Sequence, residues 1–336
     1  MTRPPPLHLF NGFRNPFGGS ELETLSVFEM LSRQQIPVQL WATSSKASPA
    51  LLARYPIRHV SVLRRQVPDG GNYVFFGAHW RNRVWPFLVA RPRRLIYVFN
   101  TFHPKILALT SQHRALLRWP RTEYVLISEF QKKILQIEGV VHPSPIDIAR
   151  FHPAPRLPGE GGAGRGAGSS RLVVGRLSRD TADKHHPDDP TLYRHLLDEG
   201  WQLRLQGATI LQNTLPAHPR CLITPEGTVP PDQFLQGLDV FYYRSGTHVE
   251  TFGRVVVEAM ACGLPVVCHA HGGYADHIIH GENGFLFDTT EQAHAILQRL
   301  HADPALRAAI GDCARHTTEH LFSAEALQSR LKFFRD

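Results

Sequence analysis

Short runs of apolar, β-branched and aromatic residues punctuate the chain at intervals that leave room for a helix between them. In the first half they read LHLF from Leu7, VQLWA from Val38, YVFFGA from Tyr73, RLIYVFN from Arg94 and EYVLIS from Glu123. In the second half they read RLVVG from Arg171, LRLQGA from Leu203, CLITPEG from Cys221, DVFYY from Asp239, PVVCHA from Pro265 and GFLFD from Gly284. Runs that are apolar at nearly every position suit strands buried on both faces, and helix-length spacing between them predicts parallel pairing. The pattern therefore predicts an α/β protein of two Rossmann-like, doubly wound domains. Ligands of such sheets bind beyond the carboxyl ends of the strands, so the loops that follow these runs are where chemistry is to be sought.

Between the two sets of runs, PAPRLPGEGGAGRGAGSS is too rich in Gly, Pro and Ser to bury a core. It divides the chain into a domain at 1–153, a linker at 154–170 and a second domain at 171–315. Apolar residues from Phe322 to Phe334 recur at helical spacing. They predict a C-terminal helix within 316–336 that packs back toward the first domain.

At 336 residues, 42% hydrophobic and 20% charged, the chain is long and apolar enough for full cores, which excludes fibrous and wholly disordered classes. No apolar run approaches the roughly 18 residues of a membrane span, and MTRPPPLHLF lacks the apolar core of a signal peptide. A soluble, cytoplasmic protein is expected. The cysteines Cys221, Cys262, Cys268 and Cys313 show no C-x-x-C pairing and are expected as buried thiols. Charge is uneven: 20 basic residues stand against 8 acidic ones through residue 155, and 17 against 21 thereafter. The basic half attracts an anionic partner such as a lipid surface, a phosphorylated substrate or nucleic acid.

The densest chemistry lies in HVETFGRVVVEAMACGLPVVCHAHGGYADHIIHGENGFLFD, from His248 to Asp288. Seven residues separate Glu250 from Glu258. Thr251, Phe252 and Gly253 form a turn before the helical stretch RVVVEAMAC, so Glu250 belongs to the loop at a helix N-terminus and Glu258 lies about two turns in. Free amides at such a terminus bind anions, and a carboxylate accepts paired hydrogen bonds from sugar hydroxyls. Alone, this spacing equally fits two glutamates on an ordinary amphipathic helix.

The order ETFG, EAMACGLPVV, GGYADHI and GENGFLF resembles the donor signature of the retaining glycosyltransferases of GT-B fold, family 4. The resemblance implies that Glu250, with Thr251, Phe252 and Gly253, holds the transferred sugar and that Glu258 holds the ribose. VVGRLSRDTADKHHPD places Arg176 and Lys184 on the positions that bind the donor diphosphate, with Lys-His where the family has Lys-Gly. NPFGGSELE places Gly18 and Gly19 at a first-domain helix start that approaches the same phosphates. YVFNTFHPK supplies an acceptor-side histidine, His103, with His79 of GAHWRN as a rival. HPSPIDIARFHP resembles the interdomain hinge through Pro143, Asp147, Phe151 and Pro153, while Ser144 and Pro145 replace its Asn-Gly. The implied activity is transfer of a sugar, as a hexosyltransferase, from a nucleotide-sugar to a saccharide or lipid-linked hydroxyl acceptor with retention, in polysaccharide or glycolipid biosynthesis. The donor is a substrate, and no cofactor, metal or nucleic acid is implied.

Other signals stay open or take plainer readings. His185, His186, Asp188 and Asp189 in KHHPDD are metal-ligand types, but a proline interrupts them and no D-x-D triplet exists to bridge a diphosphate, so no metal is expected. His316 and His320, one helical turn apart, suit a solvent face. Arg244 either faces the cleft to read an anion or covers the surface. The basic and aromatic segment from His79 to Arg94 suits either a membrane interface or a partly buried helix. Two other functions share the residues: a non-catalytic binder of anionic polymers, and a GT-B epimerase or phosphorylase. The nucleotide stays open.

Overall fold

Strand β1 (Leu7–Asn11) is buried at all five positions, because it lies at the centre of a sheet covered on both faces. It belongs to a computed structural model that describes residues 5–77, 88–102, 118–154 and 172–336. Beside β1 run β2 (Val38–Ala42) and β4 (Asn72–Phe76), with Leu7 opposite both Val38 and Asn72. With β3 (Ile57–His59), β5 (Arg94–Phe99), β6 (Thr122–Leu126) and β7 (Val140–Val141) they form a parallel sheet of order β3-β2-β1-β4-β5-β6-β7.

Alternation sorts its side chains. Phe10, Trp41, Tyr73, Phe75, Tyr97 and Phe99 gather into one aromatic core, in which Phe10 stacks on Phe75 at 4.4 Å. Helices α1 (Gly19–Arg33), α2 (Pro49–Arg54) and α3 (Glu129–Leu135) connect the strands. Ser128 caps α3 by accepting from the amide of Gln131 at 3.0 Å.

The second sheet repeats the plan. Strands β8 (Val173–Leu177), β9 (Gln202–Gln206), β10 (Cys221–Thr224), β11 (Val240–Tyr243), β12 (Val266–His269) and β13 (Phe285–Phe287) order as β10-β9-β8-β11-β12-β13, all parallel. Helices α4 (Asp189–Asp198), α5 (Pro231–Gln236), α6 (Arg254–Ala261), α7 (Thr290–Ala302) and α8 (Pro304–Leu321) accompany them. Leu192, Leu196, Trp201, Leu203, Val240 and Leu297 are among the residues that fill its core. The predicted architecture is present: two doubly wound parallel sheets, each reversing strand order beside its first strand. The edge strands β3 and β7, of three and two residues, are additions that no apolar run announces.

Contacts divide the chain into Met1–Pro145 with Ala324–Asp336, and Ile146–Ser323. The division thus falls ahead of the glycine-rich segment, whose residues 155–171 lie outside the described ones. The C-terminal segment of the first unit begins at 324 rather than 316, because α8 continues to Leu321 within the second unit. There α9 (Ala324–Arg335) meets the first sheet: Asn72 Nδ2 donates to the carbonyls of Phe334 and Arg335 at 2.9 and 3.0 Å. The Arg94 guanidinium lies over the Phe333 ring at 4.9 Å. Among the described residues, no helix is long and apolar enough to cross a membrane.

Candidate active site

In the second sheet, β8 pairs with β9 on one side and β11 on the other, so the crossovers leaving it run in opposite directions. Such a reversal opens a crevice beyond the carboxyl ends of the strands. Arg176, the penultimate residue of β8, is 1% exposed. Its guanidinium lies 5.0 Å from the Tyr243 ring centroid on β11 and donates one N–H to the carbonyl of Lys184. The other groups, Nε and Nη1, find no acceptor within the protein. A buried cation with two unspent donors is costly unless a ligand meets them.

After β8 the chain forms a turn of 3-10 helix at Ala182–Lys184 that buries Lys184. Its Nζ lies 2.5 Å from Glu250 Oε1, and the Tyr243 hydroxyl donates to the same oxygen at 2.5 Å. Burial alone would raise the Glu250 carboxyl, but the Lys184 charge, and after it His248, outweigh burial and hold it well below the carboxylate range. Burial is also the largest influence on Lys184, lowering its ammonium below the usual value although Glu250 opposes it. Arg176, Lys184 and Glu250, predicted separately, thus form one cluster with Tyr243.

Gly253 caps α6 at φ +76°, a left-handed conformation that side chains rarely adopt, and a Cβ there would stand 2.4 Å from Tyr274 Cδ1. The preceding Phe252 is buried, its ring 5.5 Å from that of His277, and Thr251 is half-buried between Phe252 and Glu250. The Gly273 amide, in the loop after β12, donates to the Glu250 carbonyl at 2.8 Å, which fixes the backbone on which the carboxylate stands. Glu258 has separate partners: Arg254 Nη2 lies 3.5 Å away, one turn earlier on α6. Burial pushes its carboxyl up, and Arg254 and then Arg150 offset this only in part.

In the first unit, Gly18 caps α1 and Gly19 opens it after the carboxyl end of β1. Glu21 Oε1 folds back to accept the amides of Arg14 and Asn15 at 3.2 and 3.3 Å, and a Cβ at Gly18 would meet Glu21 Oε2. His103 lies outside the described residues, as do His79 and the stretch 78–87 of the basic and aromatic segment.

Several plainer readings change. Arg244 takes neither alternative: 3% exposed, it donates from Nε to Asp189 Oδ1 at 2.8 Å and from Nη1 to Thr290 Oγ1 at 3.2 Å. Asp189 is accordingly a buried counter-charge, while His185 is buried with Nε2 3.0 Å from the Gly207 carbonyl oxygen and His186 faces Asp188 at 3.6 Å. Burial, and after it Arg176, lowers His185 to about 4, which keeps that ring neutral. The solvent-face reading of His316 and His320 holds: both are exposed, and His316 lies 3.3 Å from Glu319. Cys262 and Cys268 are buried, but Cys221 is half-buried and Cys313 exposed.

Tyr243 and His248 escaped the sequence reading. Tyr243 is indistinguishable there from any apolar strand residue, whereas His248, two residues before Glu250, could have been singled out by proximity.

The fold has well-matched solved counterparts. A glycosyltransferase from Rickettsia africae superposes with a TM-score of 0.74 at 16% identity, covering 98% of both chains. Anabaena Alr3699/HepE, solved in complex with UDP-glucose, superposes at 0.71 with 18% identity over 98% of both. These likenesses establish the GT-B fold. In sequence, the capsular polysaccharide biosynthesis glycosyltransferase CapM of Staphylococcus aureus is 26% identical over 175 residues, 49% of this chain and 46% of that protein. The match thus spans less than half of that relative's length. The segment that carries Glu250, Gly253 and Glu258 lies within residues 224–317, which match the family model of the glycosyl transferases group 1.

Proposed function

We propose that this protein is a retaining glycosyltransferase of hexosyltransferase type that moves a sugar from a nucleoside-diphosphate sugar to a hydroxyl acceptor, a glycan or lipid-linked saccharide, in polysaccharide or glycolipid biosynthesis. The observation that carries the reading is the cluster of Arg176, Lys184, Glu250 and Tyr243 at the strand-order reversal, where two buried cations and an oriented carboxylate share one crevice. The group 1 family match over 224–317 supports it, as does the UDP-glucose bound to the structurally similar HepE.

In this reading Arg176 and Lys184 hold the donor diphosphate, assisted by Gly18 and Gly19, while Glu250 and the Thr251–Gly253 turn hold the sugar and Glu258 the ribose. As the bond from the anomeric carbon to the diphosphate oxygen breaks, its electron pair leaves with the diphosphate. Fixed cations stabilise that charge more in the transition state than in the ground state. The acceptor oxygen bonds to the anomeric carbon on the same face, and its proton passes to the departing phosphate oxygen. No metal is required, because two protein cations supply the neutralising charge. His103 is assigned to the acceptor side.

A thermal-shift screen with UDP, GDP, ADP, CMP and dTDP, followed by their sugars, tests the reading. A nucleotide that binds only the folded protein stabilises it by about 2.7 kcal/mol at one hundred times its Kd. One diphosphate nucleotide should raise Tm, and Lys184→Ala should abolish most of the rise. A folded sample that responds to none of them refutes the proposal.

The same reading places the protein at the inner face of a membrane. Residues 54–66 carry four arginines and no acid, and an antiparallel bridge between Ser61 and Gln66 closes a tip on which Leu63 is 97% exposed. Arginines suit lipid phosphates and an aliphatic tip suits the acyl boundary. The protein should co-sediment with vesicles containing phosphatidylglycerol in low salt and remain in solution with phosphatidylcholine alone. Equal partition onto both lipids, or onto neither, overturns the assignment.

A further inference from the structure

The His248 ring stands between two carboxylates. Its Nδ1 lies 3.6 Å from Asp183 Oδ2 and its Nε2 3.7 Å from Glu250 Oε2. The backbone holds it there: the amides of Gly246 and His248 both donate to the Asp183 carbonyl, at 3.1 and 3.0 Å. That double bond pattern fastens the loop after β11 onto the turn that carries Lys184.

Glu250 therefore has a partner group at each oxygen, hydrogen-bonded at Oε1 and within ion-pair distance at Oε2. Lys184 and Tyr243 take Oε1, and the imidazole faces Oε2. A carboxylate held at one oxygen pivots about its last torsion, whereas one held at both has a fixed plane and fixed remaining lone pairs. A sugar hydroxyl read by such a group gains from that preorganisation, because the acceptor need not be ordered when the ligand arrives. The ring also completes a chain from the exposed rim to the buried cluster, since Asp183 is 42% exposed, His248 32% and Glu250 14%.

We propose that His248 is a positioning residue: bridging Asp183 and Glu250, it sets the plane of the Glu250 carboxylate for the donor sugar. The inference rests on the donor-site reading above, and it assigns a role to a residue that holds neither diphosphate nor ribose.

A double-mutant cycle on the full chain tests it, with transfer from the nucleotide-sugar and affinity for the corresponding free diphosphate nucleotide as separate readouts. Loss of a partly exposed ion-pair contact is worth up to about fivefold. His248→Ala should lower kcat/KM for the nucleotide-sugar by about that factor and leave affinity for the free nucleotide within about twofold. His248→Gln, which keeps an N–H donor, should recover most of the loss. In a Glu250→Ala background, His248→Ala should add nothing. The proposal is overturned if the two substitutions multiply, if free-nucleotide affinity falls as far as transfer, or if His248→Ala is silent in an active enzyme. A wild-type protein that binds no nucleotide and transfers no sugar would instead remove the donor-site reading, and this one with it.

Discussion

Replacing Arg244 by Met separates a structural cation from a ligand-reading one. The guanidinium is 3% exposed and places Nε and Nη2 each 2.8 Å from one oxygen of Asp189, which is 0% exposed. Removing one partner of a buried ion pair typically costs about 3 to 5 kcal/mol, since the remaining charge is left uncompensated. Two features pull the cost toward the lower end. The Tyr242 hydroxyl still donates to Asp189 Oδ1 at 2.9 Å, and Asp189 is the first residue of α4, where the helix dipole favours an anion by about 0.3 to 1 kcal/mol. Arg244→Met should therefore destabilise the second unit by about 3 kcal/mol. In a domain of such a size this lowers Tm by about 10 °C. Adding Asp189→Leu should return most of the loss, because a buried pair exchanged for apolar residues is often neutral. Circular dichroism melts of the single and double variants measure both effects, with nucleotide affinity followed in parallel. If Arg244→Met stays within about 1 kcal/mol of wild type while nucleotide affinity collapses, Arg244 faces a ligand and the buried-pair reasoning is wrong.

Other expectations concern single positions. Gly253→Ala combines a left-handed residue, about 1 to 2 kcal/mol, with overpacking against Tyr274, about 1 to 3 kcal/mol; urea titration should show a loss of about 2 to 5 kcal/mol, and an unchanged midpoint would mean that the α6 N-terminus relaxes freely. Because burial raises the Glu258 carboxyl, the folded state binds its proton more tightly than the unfolded state, and the ionised side chain is a burden at neutral pH. Glu258→Gln should accordingly raise Tm at pH 7, with the gain fading as pH falls through the folded pKa into the ordinary carboxyl range; the opposite trend would show a net stabilising carboxylate. Cys313 is exposed, whereas burial raises the thiols of Cys221 and Cys262 to about 11 and 12 and buries Cys268 beyond reach. A disulfide reagent at pH 8 should titrate one thiol rapidly in the native protein and four after denaturation; four rapid thiols would contradict the packing.

The sequence made the sheets legible because their strands are buried on both faces, which leaves an apolar signature too dense for a surface strand. The edge strands β3 and β7 were not legible, since an edge exposes half its side chains and two or three residues carry no period. Arg176, Lys184 and Glu250 were nameable as separate positions, but their union through Tyr243 follows from the adjacency of β8 and β11, which no local pattern encodes. Arg244 failed differently. An arginine at the end of a strand reads as a ligand contact or a surface cover until Asp189, fifty-five residues earlier, is known to lie beneath it.

The return of α9 to the first unit bears on how a ribosome delivers this protein. Asn72 is 0% exposed, and its amide is satisfied by carbonyls at 334 and 335, while Arg94 donates to the carbonyl of Phe333. These acceptors leave the exit tunnel after the whole of the second unit. The second unit, contiguous from Ile146 to Ser323, has all its parts before then. Synthesis and completion therefore run in opposite orders for the two units: the one translated first closes after the other, and until residues 334 and 335 emerge its sheet waits with an unanswered amide, the kind of incomplete packing that leaves a nascent chain prone to aggregation.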